Sequence, residues 1–215
     1  MSRPMKKILI AENHNVIRRG LRTLIESRPY LQIVAEAATG REALDAARTT
    51  EPDIAIVDYS LPELNGVDLT IELRKLLPPV EVLIYTMHER EDMVIDALQA
   101  GARGFVLKSD TETNVLAAID AVAGHRSYFS GTIHETLLTQ FLRHRPPTVL
   151  SVLSHREREV VQLIAEGRIN KQIGYILSIS VKTVESHRAS AMQKLNFRTT
   201  AELVRYAVRN NMVEA

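Results

Sequence analysis

Four apolar runs in the first half of the chain each end in a residue equipped for chemistry. Ile54-Ala-Ile-Val runs into Asp58, Lys7-Ile-Leu-Ile-Ala into Glu12 and Asn13, Val82-Leu-Ile-Tyr into Thr86, and Gly104-Phe-Val-Leu into Lys108. Short apolar runs rich in β-branched residues read as strands buried on both faces, the habit of a parallel sheet. At the carboxyl edge of such a sheet the strand ends open onto a crevice where ligands bind. If the four strands share that edge, two carboxylates, an amide, a hydroxyl and an ammonium converge on a small anion-handling site built around a nucleophilic carboxylate. Taken alone, Asp58 reads equally well as a cap for the helix after Pro62 and the Asn65-Gly66 turn, since Asp is a common loop residue. His14 and His88 lie beside the cluster without a paired ligand spacing, and read as ordinary loop residues rather than zinc ligands.

The elements that must position these residues alternate. Helical spacing appears from His14 to Ser27 (Ile17, Leu21, Leu24, Ile25), and after the short strand Gln32 to Glu36 it returns from Gly40 to Thr50 (Ala43, Leu44, Ala47). Further helices are expected from Val67 to Leu77, stopped by Pro78-Pro79, from Glu91 to Ala100, ended by Gly101, and from Thr111 to Ala123. Five such units predict a doubly wound five-stranded parallel sheet, an α/β domain over residues 1–124. Residues 125–150 read as a semi-rigid linker in which Ile133, Leu137, Leu138 and Phe141 stripe a short helix stopped by Pro146-Pro147.

Residues 151–215 are all-α by pattern, with four helices. Ser154 and Glu157 form a capping box, Gly167 ends the first helix, Asn170 caps the second, Ser180 opens the third through Leu195, and Thr199 or Thr200 opens the last. The tight Leu177-Ser178-Ile179 turn makes a helix-turn-helix. On the third helix Val181, Val184, Ala191, Met192 and Leu195 form one arc, while Lys182, Ser186, Ala189 and Gln193 centre on the opposite side. Small hydrogen-bonding groups on an exposed helix suit close approach to base edges in a major groove, and Glu185 at the border suits cytosine N4. Lys171, Thr183, His187, Arg188 and Lys194 surround that face at positions fit for phosphates. Amphipathicity by itself describes an ordinary surface helix just as well.

Composition narrows the classes. The chain of 215 residues carries a net charge of +1, but residues 1–125 hold −5, residues 126–150 hold +2 and residues 151–215 hold +4. An acidic front and a basic rear fit a metal or phosphoryl site joined to a polyanion binder. With no cysteine there is no disulfide framework and no thiolate metal site. No signal peptide or long apolar run is evident, which leads us to expect a cytoplasmic protein without a membrane partner.

Asp58, Pro62, Gly66, Thr86 and Lys108 together resemble the receiver domain of bacterial response regulators. Leu153-Ser-His-Arg-Glu-Arg-Glu-Val-Val, Asn170-Lys-Gln-Ile, Ser180-Val-Lys-Thr-Val-Glu-Ser-His-Arg and Lys194-Leu195 resemble the LuxR-type DNA-binding domain. The whole chain is similar to the NarL/FixJ family. The resemblance implies a transcription regulator rather than an enzyme, with Asp58 as phosphoacceptor, Thr86 and Lys108 on the phosphoryl oxygens, and Phe105 as the aromatic switch position. It implies a sensor histidine kinase as phosphodonor and Mg²⁺ held by Glu12, Asn13, Asp58 and the Ser60 carbonyl. It also implies double-stranded DNA as ligand, and a homodimer formed through the last helix at Thr199, Leu203, Val204 and Ala207.

Two positions depart from the family pattern. Most receivers place two adjacent acids where this chain has Glu12 and Asn13, so weaker Mg²⁺ binding and slower phosphorylation are expected. Asn13 also admits an alternative, a phosphorylation-independent DNA-binding protein whose receiver serves dimerisation or partner binding. A phosphatase using Asp58 is a third class, disfavoured because the sheet edge offers no substrate pocket beyond itself. Gly174 stands where Ala is usual, a change expected to loosen its helix by up to about 1 kcal/mol.

Overall fold

The computed structural model describes residues 4–88, 90–131 and 152–213. Strands β1 (Lys6–Ala11), β2 (Leu31–Ala37), β3 (Ile54–Val57), β4 (Glu81–Thr86) and β5 (Gly104–Leu107) alternate with helices α1 (Asn15–Glu26), α2 (Gly40–Thr50), α3 (Gly66–Leu76), α4 (Glu91–Ala100) and α5 (Glu112–Ala123). These strands form one parallel sheet in the order β2-β1-β3-β4-β5, which a further short strand extends beyond β5. Both of its faces are covered. Leu9, Ala55, Val57, Val82 and Ile84 pack on one side with α2, α3 and α4, and Ile8, Ile10, Ile54, Ile56 and Leu83 on the other with α1 and α5. Alternate residues of one strand therefore serve different cores, which is why these runs are continuously apolar.

Among the described residues the sheet has six strands, not five. After α5 the chain turns back through His125 and lays β6 (Tyr128–Phe129) parallel to β5, with Ser130 N–H donating to Phe105 O at 3.3 Å. A two-residue strand carries no periodicity, so nothing in the sequence marks it. The receiver sheet thus extends past Gly124, the expected boundary. The expected linker helix with Ile133, Leu137, Leu138 and Phe141 lies outside the described residues.

The second domain comprises α6 (His155–Ala165), α7 (Asn170–Leu177), α8 (Val181–Lys194) and α9 (Thr200–Arg209) around Val160, Leu163, Ile173, Val184, Ala191, Leu203 and Ala207. The Ser154-Glu157 capping box, the Ser180 cap and the Thr199 cap are all present. Asn170 is the first helical residue of α7 rather than its cap. That place falls to Ile169, whose N–H donates to Gln172 Oε1 at 3.0 Å. Gly174 packs directly against the turn of the helix-turn-helix. A Cβ there would lie 2.9 Å from Ile179 O, the carbonyl of the turn, and Ile179 N–H closes the turn onto Gly174 O at 2.9 Å. The missing methyl lets turn and helix approach closely.

Candidate functional site

The site at the sheet edge is built by strand register. Asp58 N–H donates to Ala11 O at 2.9 Å and Lys108 N–H to Thr86 O at 2.7 Å, which brings the ends of β1 and β3, and of β4 and β5, level. Lys108 Nζ then sits 2.9 Å from Asp58 Oδ2 and 2.7 Å from Glu12 Oε2, with all three side chains almost wholly buried. Three charges so removed from water are tolerable only as a mutually compensating group. Burial, helped by the negative charge of Glu12, raises the pKa of Asp58 against the opposing pull of Lys108. Burial alone would depress Lys108, but the Asp58 and Glu12 carboxylates outweigh it and hold the ammonium above its ordinary value.

The other predicted receiver residues fall around this centre. Thr86 is fully buried at the end of β4, its Oγ1 accepting from His88 N–H at 3.3 Å. Phe105 is buried in β5, packed into the core shared with Leu107 and Met93. The loop after Asp58 depends on Gly66, where a Cβ would lie 2.3 Å from Asp58 O, and on Asn65, whose side chain accepts from Asp68 N–H to start α3.

The residues present fit a divalent cation. Oxygen or nitrogen atoms of Glu12, His14 and Asp58 lie within 4.8 Å of one another. Asn13 Oδ1 and Ser60 Oγ are buried without hydrogen-bond partners in the same neighbourhood, and both residues line a cavity of about 140 Å³. His14 does lie in the loop before α1, and its Nδ1 is 3.1 Å from Glu12 Oε1 while its N–H donates to that oxygen at 2.9 Å, so it joins the cluster. Two carboxylates and an orphaned amide oxygen are the hard donors that Mg²⁺ takes, with water completing the shell.

On α8, Lys182, Glu185, Ser186, Ala189, Gln193 and Lys194 are exposed, and Thr183, His187 and Arg188 half-buried; Lys171 is exposed on α7. Three details differ from expectation. Val181, assigned to the core arc, is 42% exposed at the helix start. Arg188 Nη2 donates to Thr200 Oγ1 at 2.6 Å, and Lys194 Nζ bonds Glu157 Oε2 at 2.7 Å, so both cations brace the domain. Leu203 and Ala207, named for dimerisation, are fully buried against the domain's own core and present no surface to a second copy; exposed Thr199 and half-buried Val204 do.

The two domains touch, as a semi-rigid linker allows, through residues that no motif marks. Gln162 Nε2 donates to Leu61 O at 2.9 Å, while its Oε1 accepts from Asn65 N–H and Nδ2, both at 3.1 Å. Glu63 N–H donates to Glu166 Oε1 at 2.9 Å, from a backbone held in the left-handed region. Arg158 and His155 bond the buried carboxylate of Asp68, and Arg41 pairs with Glu159 at 2.5 Å. A signal existed in the sequence: Glu159, Gln162 and Glu166 recur at i, i+3 and i+7, a polar stripe on one side of α6.

Comparisons with known proteins agree with this architecture. Residues 8–120 match the response regulator receiver domain and residues 151–207 match the bacterial regulatory proteins of the luxR family. The chain is 31% identical over 211 residues to the transcriptional regulatory protein MctR of Rhizobium johnstonii, covering 98% of this chain and 97% of that one. It is 33% identical to the oxygen regulatory protein NreC of Staphylococcus haemolyticus, covering 97% and 99%. Among solved structures, a LuxR-family two-component response regulator from Aurantimonas is 34% identical, with a TM-score of 0.62 over 64% of this chain and 99% of that one. The RcsB response regulator of Salmonella typhimurium, 24% identical, shares the fold with a TM-score of 0.64 over 95% and 97%. No helix among the described residues is long and apolar enough to cross a membrane. Receiver and LuxR-type helix-turn-helix in one chain, matched over nearly its full length, place this protein in the NarL/FixJ family of two-component response regulators, DNA-binding regulators of transcription.

Proposed function

We propose that Asp58 accepts a phosphoryl group from a sensor histidine kinase and that this modification sets the activity of a DNA-binding dimer. The observation that carries the reading is the Lys108 ammonium lodged between Asp58 and Glu12 at the carboxyl edge of the sheet. An Asp58 carboxylate oxygen attacks the phosphorus of a phosphohistidine, the N–P bond breaks, and the donor imidazole leaves. Lys108 offsets charge on the phosphoryl oxygens and the Thr86 hydroxyl donates to one of them. Mg²⁺, held by Glu12, Asp58, the Asn13 amide oxygen and the Ser60 carbonyl, would stabilise the same oxygens. Charge stabilisation and in-line positioning are what this chemistry asks of a protein.

DNA is read by α8, with Lys182, Glu185, Ser186, Ala189 and Gln193 toward base edges and Lys171, Thr183, His187, Arg188 and Lys194 toward phosphates. Two copies, meeting through Thr199, the cap of α9, and Val204 on it, would read half-sites about one helical turn apart. The test is intact mass after incubation with a small phosphodonor and Mg²⁺. One phosphoryl group is expected on the parent chain and none on Asp58→Ala; a parent that never gains mass refutes the reading.

A phosphorylation-independent regulator is the second reading, and two observations favour it. Asn13 removes one acid from the usual set, and the α8 face stays exposed while the receiver is docked. DNA affinity that is equal with and without beryllofluoride, in a protein that binds specific DNA, would decide for it.

A further inference from the structure

His14 brings a nitrogen donor to the cluster at the sheet edge. It stands at the cap position of α1, where a short hydrogen-bonding side chain is the usual choice, yet its ring makes no capping bond. Nδ1 instead lies 3.1 Å from Glu12 Oε1, and ligand atoms of Glu12, His14 and Asp58 all fall within 4.8 Å of one another. Two adjacent donors on one octahedral ion, each at about 2.1 Å, are about 3 Å apart, so one ion can take both Nδ1 and Oε1. A hydrogen bond fits the same separation, and the distance by itself does not choose.

Two further observations favour a cation. Lys108 engages Asp58 Oδ2 and Glu12 Oε2, one ammonium against two carboxylates, which leaves one negative charge uncompensated in the cluster. Beside it Asn13 Oδ1 and Ser60 Oγ are buried without hydrogen-bond partners, Ser60 being only 6% exposed, and both residues line the cavity of about 140 Å³. Buried oxygens left unpaired are unfavourable, and a cation carrying water satisfies them. The donor types then set the choice of ion. Carboxylate, carbonyl and water suit Mg²⁺, whereas imidazole suits transition ions.

We propose that His14 Nδ1 ligates the cation at this site and turns its preference from Mg²⁺ toward a divalent first-row transition ion. The inference rests on the reading of Glu12 and Asp58 as a cation site and names the class of ion that site takes. The side chain of His14 is 47% exposed, so little buried surface resists a small rotation of the ring onto an ion. Occupancy of the site, and phosphoryl uptake with it, then follows the supply of that ion.

The chain has no cysteine, so no thiolate competes for such ions. Calorimetric titration of the full chain with Mg²⁺ and with Co²⁺, at one pH, gives the ratio of the two affinities. Any site of nitrogen and oxygen donors favours Co²⁺ to some degree, so the test is how that ratio changes. His14→Ala is expected to weaken Co²⁺ about tenfold or more, since even the outer partners of a ligand are worth that much, and to leave Mg²⁺ within about twofold. His14→Gln, which keeps a donor to Glu12 but offers no nitrogen to an ion, should behave as His14→Ala does. Asp58→Ala should weaken both ions. With Mn²⁺ as the probe, pulsed electron spin resonance should show a directly bound imidazole nitrogen in the parent and none in either His14 variant. Equal loss of Mg²⁺ and Co²⁺ in the His14 variants, Co²⁺ affinity unchanged by Asp58→Ala, or a Mn²⁺ spectrum of the parent without nitrogen overturns the proposal. A chain that binds ions through His14 yet never gains phosphoryl mass refutes the reading of Asp58 and upholds this one. A chain phosphorylated with Mg²⁺ whose Mn²⁺ spectrum lacks nitrogen does the reverse.

Discussion

The side-chain amide of Gln162 grips both ends of the loop that follows Asp58, donating to Leu61 O at 2.9 Å and accepting from Asn65 N–H at 3.1 Å. Gln162 is fully buried, so the DNA-binding domain senses the backbone of the very loop that a phosphoryl group on Asp58 would disturb. Replacing it with Leu keeps the volume but leaves a buried carbonyl and amide unpaired, each costing about 1–3 kcal/mol. Gln162→Leu is expected to undock the domains, read as an increased radius of gyration in small-angle scattering. An unchanged radius would show that the amide is not what joins them.

Glu157 links the start of α6 to α8. Burial opposes its ionisation, but bonds from Lys194, Ser190 and Ser154 win and hold its pKa at about 2. A depressed carboxylate stabilises the fold above its ordinary titration range, and that stability is lost as the pH falls toward the lowered value. Glu157→Gln should therefore lower the melting temperature at neutral pH and erase part of the acid sensitivity. Loss of the cap alone is worth about 1 kcal/mol. Lys194→Ala should destabilise the domain too, so its effect on DNA affinity must be read at a temperature where circular dichroism shows both proteins folded.

At Asn13 the chain offers a neutral oxygen with no partner. Asn13→Asp adds a third carboxylate beside Glu12 and Asp58, strengthening attraction for a divalent cation by on the order of 1 kcal/mol, about fivefold in affinity. Isothermal titration with Mg²⁺ checks this. Equal or weaker binding by Asn13→Asp would mean that the amide is not at the metal position.

On α8, the helix proposed to read DNA, Lys182 and Ser186 are exposed and face away from the packed arc of Val184 and Ala191. Lys182→Ala and Ser186→Ala should each cost about 1–3 kcal/mol on a specific duplex and far less on a random one, measured by fluorescence anisotropy. Equal losses on both duplexes would reassign these residues to the phosphate backbone.

Much of this protein was legible from local pattern. The apolar runs ending in Asp58, Glu12, Thr86 and Lys108 predicted one sheet edge because a parallel sheet buries its strands on both faces and leaves their ends as the open crevice. Ser154, Ser180 and Thr199 announced their helices because a cap needs a short hydrogen-bonding side chain at one position and acts within three residues. The misses share a cause as well. β6 is too short to carry a period, and the burial of Leu203 and Ala207 depends on which side of α9 meets α6, a choice an amphipathic stripe does not name. Val181, the first residue of α8, is exposed while Val184 in the same turn is fully buried, a difference that the apolar arc does not encode.

The sequence by itself determined the two domains, the strand ends that carry the reactive groups, and the exposed polar face of α8, since each follows from interactions between residues close along the chain. Only the tertiary structure decided that Lys108 lies between Asp58 and Glu12, that Gln162 reaches Leu61, and that His155 meets Asp68. Those contacts join residues 50 to 101 positions apart, and no local periodicity encodes them. They arise when packing removes both partners from water and leaves each polar group to find its complement in the other.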